Sequence, residues 1–126
     1  NTFVTHNNYQ NVQVDYYIDL SAFEGEIKLI HHFVDIQNYD FLSFNTSGDV
    51  TQGRVINSEH KIFDEKKDIS DSKFFRGVAN DTHFRGYINK EMAVHGHGDA
   101  PRSGSVGLNI EGEGSILISR IELSQL

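Results

Sequence analysis

From Val12 to Leu20 the chain alternates strictly, with Val12, Val14, Tyr16, Ile18 and Leu20 on one face of an extended strand and Gln13, Asp15, Tyr17 and Asp19 on the other. The apolar set is the expected core face. "EIKLIHHFV" (26–34) is apolar on both faces, the pattern of a central strand covered on both sides or lining a concavity. "DIQN" predicts a turn and "YDFLSFN" a returning strand, after which "NTSGD" (45–49) predicts a second turn leading into "VTQGRVIN" and a short "KIFD". The charged "EKKDISDSK" reads as an exposed loop or one helical turn. "FFRGVAN" and "THFRGYINKEMAV" flank an Asn80-Asp81 turn, the second strand pointing Phe84, Gly86 and Ile88 inward and His83, Arg85 and Tyr87 outward. "SVGLNIEGEGSILISRIEL" predicts a closing hairpin around Gly112-Glu113-Gly114, with Val106, Leu108 and Ile110 facing Ile116 and Ile118. A bulge at Ser119-Arg120 would return Ile121 and Leu123 to the core. Turn signals recur roughly every 10 to 15 residues, the rhythm of an all-β sandwich or barrel.

Composition supports this picture. Nine Phe and five Tyr, with abundant Val and Ile and a single Pro, suit pleated, half-buried surfaces, and the 11 glycines read as turns. A chain of 126 residues fits one domain, 1–126, able to bury about two-thirds of its unfolded surface. With 11 basic against 18 acidic residues the net charge is −7 and no basic stripe exists, which argues against a nucleic-acid partner. No apolar run approaches the ~18 residues of a spanning helix, so membrane insertion is not expected. The lack of cysteine excludes disulfides and thiolate metal sites.

Three stretches carry a family likeness: "NYQNVQVDYYIDL", then "VDIQNYDFLSF", then "FRGYINKEMAV" continuing through an Asp into "SGSVGLNIEGEGSILISRIEL". Their order and spacing, over nearly the whole chain, resembles the concanavalin A-like (laminin-G-like) jelly rolls, above all 3-keto-disaccharide hydrolase-type domains and fructan-binding modules. The resemblance implies an antiparallel jelly-roll β-sandwich, a glycan or polysaccharide partner, and an extracellular or periplasmic location. Domains of that family have further strands ahead of the segment beginning here at Asn1, and usually a tryptophan, which this chain lacks. The resemblance therefore also implies a sandwich without its N-terminal strands, or a module of a longer protein.

Several groups of residues are candidates for chemistry. His95-Gly-His97-Gly-Asp99 has acceptable ligands for a zinc-like ion, but the interleaved glycines leave the backbone loose, and the stretch reads as the entrance to a turn; no metal or cofactor is expected there. In the apolar strand, alternation sends His31 to one face as a buried structural histidine and His32 to the face of Lys28, where it could line a ligand groove. Outward Asp15, Tyr17, Arg85 and Tyr87 combine flat rings with charged forks, the means by which a protein holds the apolar face and vicinal hydroxyls of a sugar. Their plainer reading is a solvated face with cross-strand pairs. Tyr39 is expected to be a packing aromatic.

The catalytic options are thin. Glu24 with Glu26, and Glu111 with Glu113, are spaced carboxylates without an aromatic neighbour to raise one of them, and the Glu-x-Asp-x-x-Glu signature of jelly-roll glucanases is absent. Ser103 and Ser105 lack a nucleophile elbow, and "GEGS" precedes no helix. The sequence thus points to a non-catalytic, lectin-like carbohydrate-binding or surface-recognition module, with Asp15, Tyr17, His32, Arg85 and Tyr87 as ligand-binding residues. Two alternatives stand beside it: a glycoside-hydrolase-like domain, and a structural subunit that self-associates through its edge strands.

Overall fold

In the computed structural model, which describes residues 2–70 and 72–126, every regular element among those residues is a β-strand. They are β1 (Thr2–Val4), β2 (Val12–Asp35), β3 (Asn38–Asn45), β4 (Val50–Ile56), β5 (Glu59–Lys66), β6 (Phe74–Asn80), β7 (His83–Ile88), β8 (Glu91–His97) and β9 (Ser105–Gln125). All pairings are antiparallel. The charged 64–73 segment continues β5 and then runs without helix; Asp71 within it lies outside the described residues.

Two long strands organise the molecule. β2 and β9 pair with each other from Val12↔Gln125 to Phe33↔Ser105. On its other edge β2 pairs first with β6 (Val12↔Ala79 to Tyr17↔Phe74) and then with β3 (Glu26↔Asn45 to His31↔Asp40). β2 therefore leaves one sheet, β9-β2-β6-β7-β8, and enters the other, β1-β9-β2-β3-β4-β5. The sheets fold over each other so that β4 and β5 pack across β8, with Phe63 stacked on Phe84 at 5.1 Å between ring centres. The core between them holds Val12, Val14, Tyr16, Ile18, Ile27, Leu29, Phe75 and Phe84, so the alternation read from residues 12–20 is the alternation observed. The Tyr16 hydroxyl donates to the Gly107 carbonyl at 2.9 Å, and burial pushes its pKa well above the usual phenol range.

The predicted closing hairpin does not form. Gly112 and Gly114 take positive φ, 150° and 104°, but they serve a crossing rather than a turn. Gly112 sits opposite Gly25 (φ 154°), flanked by Glu24↔Glu113 and Glu26↔Glu111. A Cβ on Gly25 would lie 2.2 Å from the Glu111 carbonyl oxygen, and one on Gly112 would lie 2.3 Å from that of Glu24. Side-chain-free backbone lets the two strands bend together from one sheet into the other. Val106 and Leu108 are consequently buried against β2, not against Ile116 and Ile118. The bulge at Ser119 does occur, between Ile18↔Ile118 and Tyr17↔Arg120. It brings Leu123 against the core but leaves Ile121 48% exposed.

The "THFRGYINKEMAV" strand is also divided. Asn89 and Lys90, at φ 49° and 70°, make a tight turn of the kind whose two central residues are both left-handed, and the chain reverses from β7 into β8. Phe84, Gly86 and Ile88 point inward as predicted, and His83, Arg85 and Tyr87 outward.

Candidate functional site

The strongest concentration of polar chemistry lies where β2, β3 and β4 meet the loop ahead of β9. β2 breaks its register between Ile30 and Phe33, and His32 there adopts φ 53°. This bulge cancels the alternation that would have sent the two imidazoles to opposite faces. Both are buried, and their Nδ1 atoms are 2.8 Å apart. His32 Nε2 meets the Gln10 carbonyl oxygen, which can only accept, so this nitrogen carries the proton. Neutral His32 then presents Nδ1 as acceptor, and His31 Nδ1 donates to it. His31 Nε2 is left as a buried lone pair without a partner among the described residues. Burial pushes His31 down to about 4 and also lowers His32, where the bond to Gln10 opposes the effect.

Beside them, Arg54 grips Asp40 with two parallel bonds, Nε to Oδ1 at 2.6 Å and Nη2 to Oδ2 at 3.0 Å, both residues being buried. The guanidinium also lies 5.3 Å from the centres of the Phe63 and Phe84 rings. His31, His32 and Asp40 bring possible ligand atoms close together, but with Arg54 seated on the carboxylate this group is a neutralised ion pair beside hydrogen-bonded imidazoles, not a cation cradle. A cleft of about 190 Å³ opens on it, lined by Asn38, Tyr39 and Val55 from β3 and β4, by His32 and by Arg102. Asp35, next in the chain after the cleft residue Val34, is held below the usual carboxylate range by hydrogen bonds from Asn38 and the Gln37 amide, with Arg102 adding attraction. Besides lining the cleft, Tyr39 packs with Ile30, Phe41 and Val55, the structural role expected of it.

Asp15, Tyr17, Arg85 and Tyr87 do share one face, the outer side of β2, β6 and β7, and His32 is not part of it. Three of them are engaged by neighbouring guanidiniums. Arg76 binds Asp15 bidentately at 2.6 and 2.9 Å and lies 5.9 Å from the Tyr87 ring centre. Arg120 lies 4.4 Å from the ring centre of Tyr17. The guanidiniums thus lie over the rings that would stack on a sugar.

His95-Gly-His97 is the end of strand β8, not a turn. Gly96 and Gly98 are close-packing positions: a Cβ at Gly96 would fall 2.4 Å from Phe63 Cβ, and one at Gly98 2.8 Å from the Phe63 ring. The outward histidines stand next to His83 of β7, the register partner of His97. Partial desolvation, reinforced by His97, Arg85 and His83, lowers the pKa of His95. The glutamates of the crossing face each other in two opposed pairs on the surface.

Asp40, Arg54, Asn38 and Arg102 were missed from the sequence. Asp40 and Arg54 are register partners across β3 and β4, equidistant from the "NTSGD" turn, so hairpin arithmetic alone would have paired them. Nothing local marks the His32 bulge.

No family model matches this sequence, and no curated protein does. Solved structures do. A carbohydrate-binding module, CBM66 from Bacillus subtilis, superimposes with a TM-score of 0.82 over 98% of this chain and 81% of its own, at 14% identity. Sheep galectin-11, in complex with glycerol, gives 0.66 over 98% and 96%, at 8% identity. A native glycosidic hydrolase gives 0.60 over 85% of this chain and 54% of its own, at 9% identity. Two antiparallel sheets sharing their long strands, matched over 98% of the chain by the first two of these structures and 85% by the third, give the chain the concanavalin A-like jelly-roll fold.

Proposed function

We propose that the chain is a non-catalytic carbohydrate-binding module that takes an uncharged sugar unit in the cleft between β2–β4 and the loop carrying Arg102. One observation carries this reading: the buried, two-point Arg54–Asp40 pair lines a concavity together with His32, Asn38, Tyr39 and Arg102. Fixed donors and acceptors with rigid geometry suit the paired hydroxyls of a sugar ring, and a concave site with few converging polar groups is where small ligands bind. The net charge of −7 disfavours polyanionic glycans. Similarity in fold to a carbohydrate-binding module and to galectins supports the same class of ligand. A hydrolase would need two carboxyl groups roughly 5–10 Å apart. Of the residues lining the cleft only Asp40 is a carboxylic acid, and Arg54 holds both its oxygens. A glycan ligand fits an extracellular or periplasmic setting.

A glycan array followed by calorimetry tests the assignment. Arg102→Ala, at an exposed position, and Arg54→Lys, which keeps the charge but loses the fork, are each expected to weaken binding by about 1–3 kcal/mol, with circular dichroism checking that the fold is retained. Tyr87→Ala should bind like wild type. Loss in Tyr87→Ala with Arg102→Ala unaffected would move the site to the outer face of Asp15, Tyr17, Arg85 and Tyr87. Release of product from a bound glycan would favour the hydrolase. If no glycan binds and the chain self-associates, assembly through edge strands replaces both readings; the apolar groove of Phe3, Val4, Ile118 and Ile121 beside β1 and β9 is the surface that would mediate it.

A further inference from the structure

We propose that His83, His95 and His97 form a three-imidazole site for a borderline divalent transition-metal ion, Zn²⁺, Ni²⁺ or Cu²⁺, on the outer face of the β7–β8 hairpin. The topology, not the local sequence, assembles it. His95 and His97 are two apart on one strand and so share a face, and His83 lies directly across the ladder from His97. The ring centres are 4.5 Å apart for His83 and His97, 4.7 Å for His95 and His97, and 6.1 Å for His83 and His95. Each residue offers a ring nitrogen lying within 4.8 Å of the other two. Tetrahedral zinc with Zn–N bonds of about 2.0–2.1 Å holds its nitrogens roughly 3.4 Å apart, so small side-chain rotations close the site.

The backbone beneath is fixed. Gly96 and Gly98 lie against Phe63, and the His95 amide donates to Asp64 Oδ2 at 2.9 Å, which ties β8 to β5. The glycines therefore give strand β8 room to pack under an aromatic ring, and the histidines stand on a rigid ladder. Three imidazoles without a carboxylate favour zinc, nickel and copper over calcium or magnesium, which prefer oxygen. The coordination position left by three ligands faces solvent and would take water. Arg85, opposite His95 on the same face, opposes a cation, while Asp64 beside His95 offsets part of that charge. Asp99, which follows in sequence, is not in the group.

This site is independent of the glycan reading and is tested on the untagged chain with metal alone. Calorimetry with zinc and nickel chlorides should give one ion per chain, and about 100 μM zinc should raise the melting temperature, reversibly with EDTA. His83→Ala and His97→Ala should each weaken uptake by more than about tenfold, and Asp99→Ala should leave it unchanged. Electron paramagnetic resonance of the Cu²⁺ form of the wild-type chain should show nitrogen coupling from three imidazoles, a readout that does not depend on any variant folding. Absence of uptake at about 1 mM zinc would overturn the proposal. So would undiminished uptake in the His83→Ala/His97→Ala double variant, which would assign the ion elsewhere on the chain.

Discussion

At the scale of single residues, the buried His31–His32 pair makes the molecule sensitive to acid. The folded state holds His31 neutral to about pH 4, whereas an unfolded chain protonates it near its ordinary value of 6.5. Between those pH values the unfolded state binds more protons, so stability falls as pH drops through this window and is fully present above 6.5. His32, shifted the same way, adds to the effect. The expected loss from His31 alone is about 2–3 kcal/mol between pH 7 and pH 4.5, read as a falling urea midpoint. A midpoint unchanged over that range would mean that His31 is not held neutral. Little of this was legible from "IHHFV". Two adjacent histidines in a strand should part to opposite faces, and only a bulge with His32 at positive φ turns both inward, a departure for which neither residue type carries a marker.

At the scale of elements, the apolar alternation of residues 12–20 and the turns at 36–37 and 46–48 were readable because each rests on local chemistry: period-two burial, and Asn, Ser, Gly and Asp where the chain reverses. The errors arose where one residue type serves two purposes. Glycine in "EGEG" marks a tight turn in one context and the close approach of two backbones in another, and only the partner strand, with its own Gly25 some ninety positions earlier, decides between them. Conversely, the Asn89-Lys90 turn was missed because Asn is its single turn-forming residue and the apolar residues on either side, Tyr87-Ile88 and Met92-Ala93-Val94, read as one continuous strand. The crossing makes a sharp prediction. Gly112→Ala places a methyl 2.3 Å from the Glu24 carbonyl oxygen at positive φ and should destabilise the fold by about 2–4 kcal/mol. Gly77→Ala, with nothing within 4 Å of the added carbon, should change stability by less than about 0.5 kcal/mol. Chemical denaturation of both variants measures the contrast, and equal effects would show that β2 and β9 do not meet as closely as described.

At the scale of the whole molecule, the shared strands decide how the two sheets respond to stress. A sandwich whose sheets are linked only by loops can lose one sheet while the other persists. Here β2 is hydrogen-bonded to β6 over its first half and to β3 over its second, and β9 accompanies it throughout. Melting either sheet exposes a long edge of the other and removes a wall of the common core, in which Val12 and Ile18 from one half pack with Ile27 and Leu29 from the other. The resemblance in sequence pointed to the jelly roll but not to this coupling, because the hairpin read into residues 105–123 would have made β9 two local strands. Unfolding should therefore be a single cooperative step. Far-UV circular dichroism and tyrosine fluorescence should give coincident thermal transitions, with the calorimetric enthalpy equal to the van't Hoff value. Gly112→Ala, although it lies at the corner, should move the midpoints of both probes together. Transitions that separate in the wild type, or a variant in which one probe moves and the other does not, would show that the sheets unfold independently and that the continuous strands do not transmit stability between them.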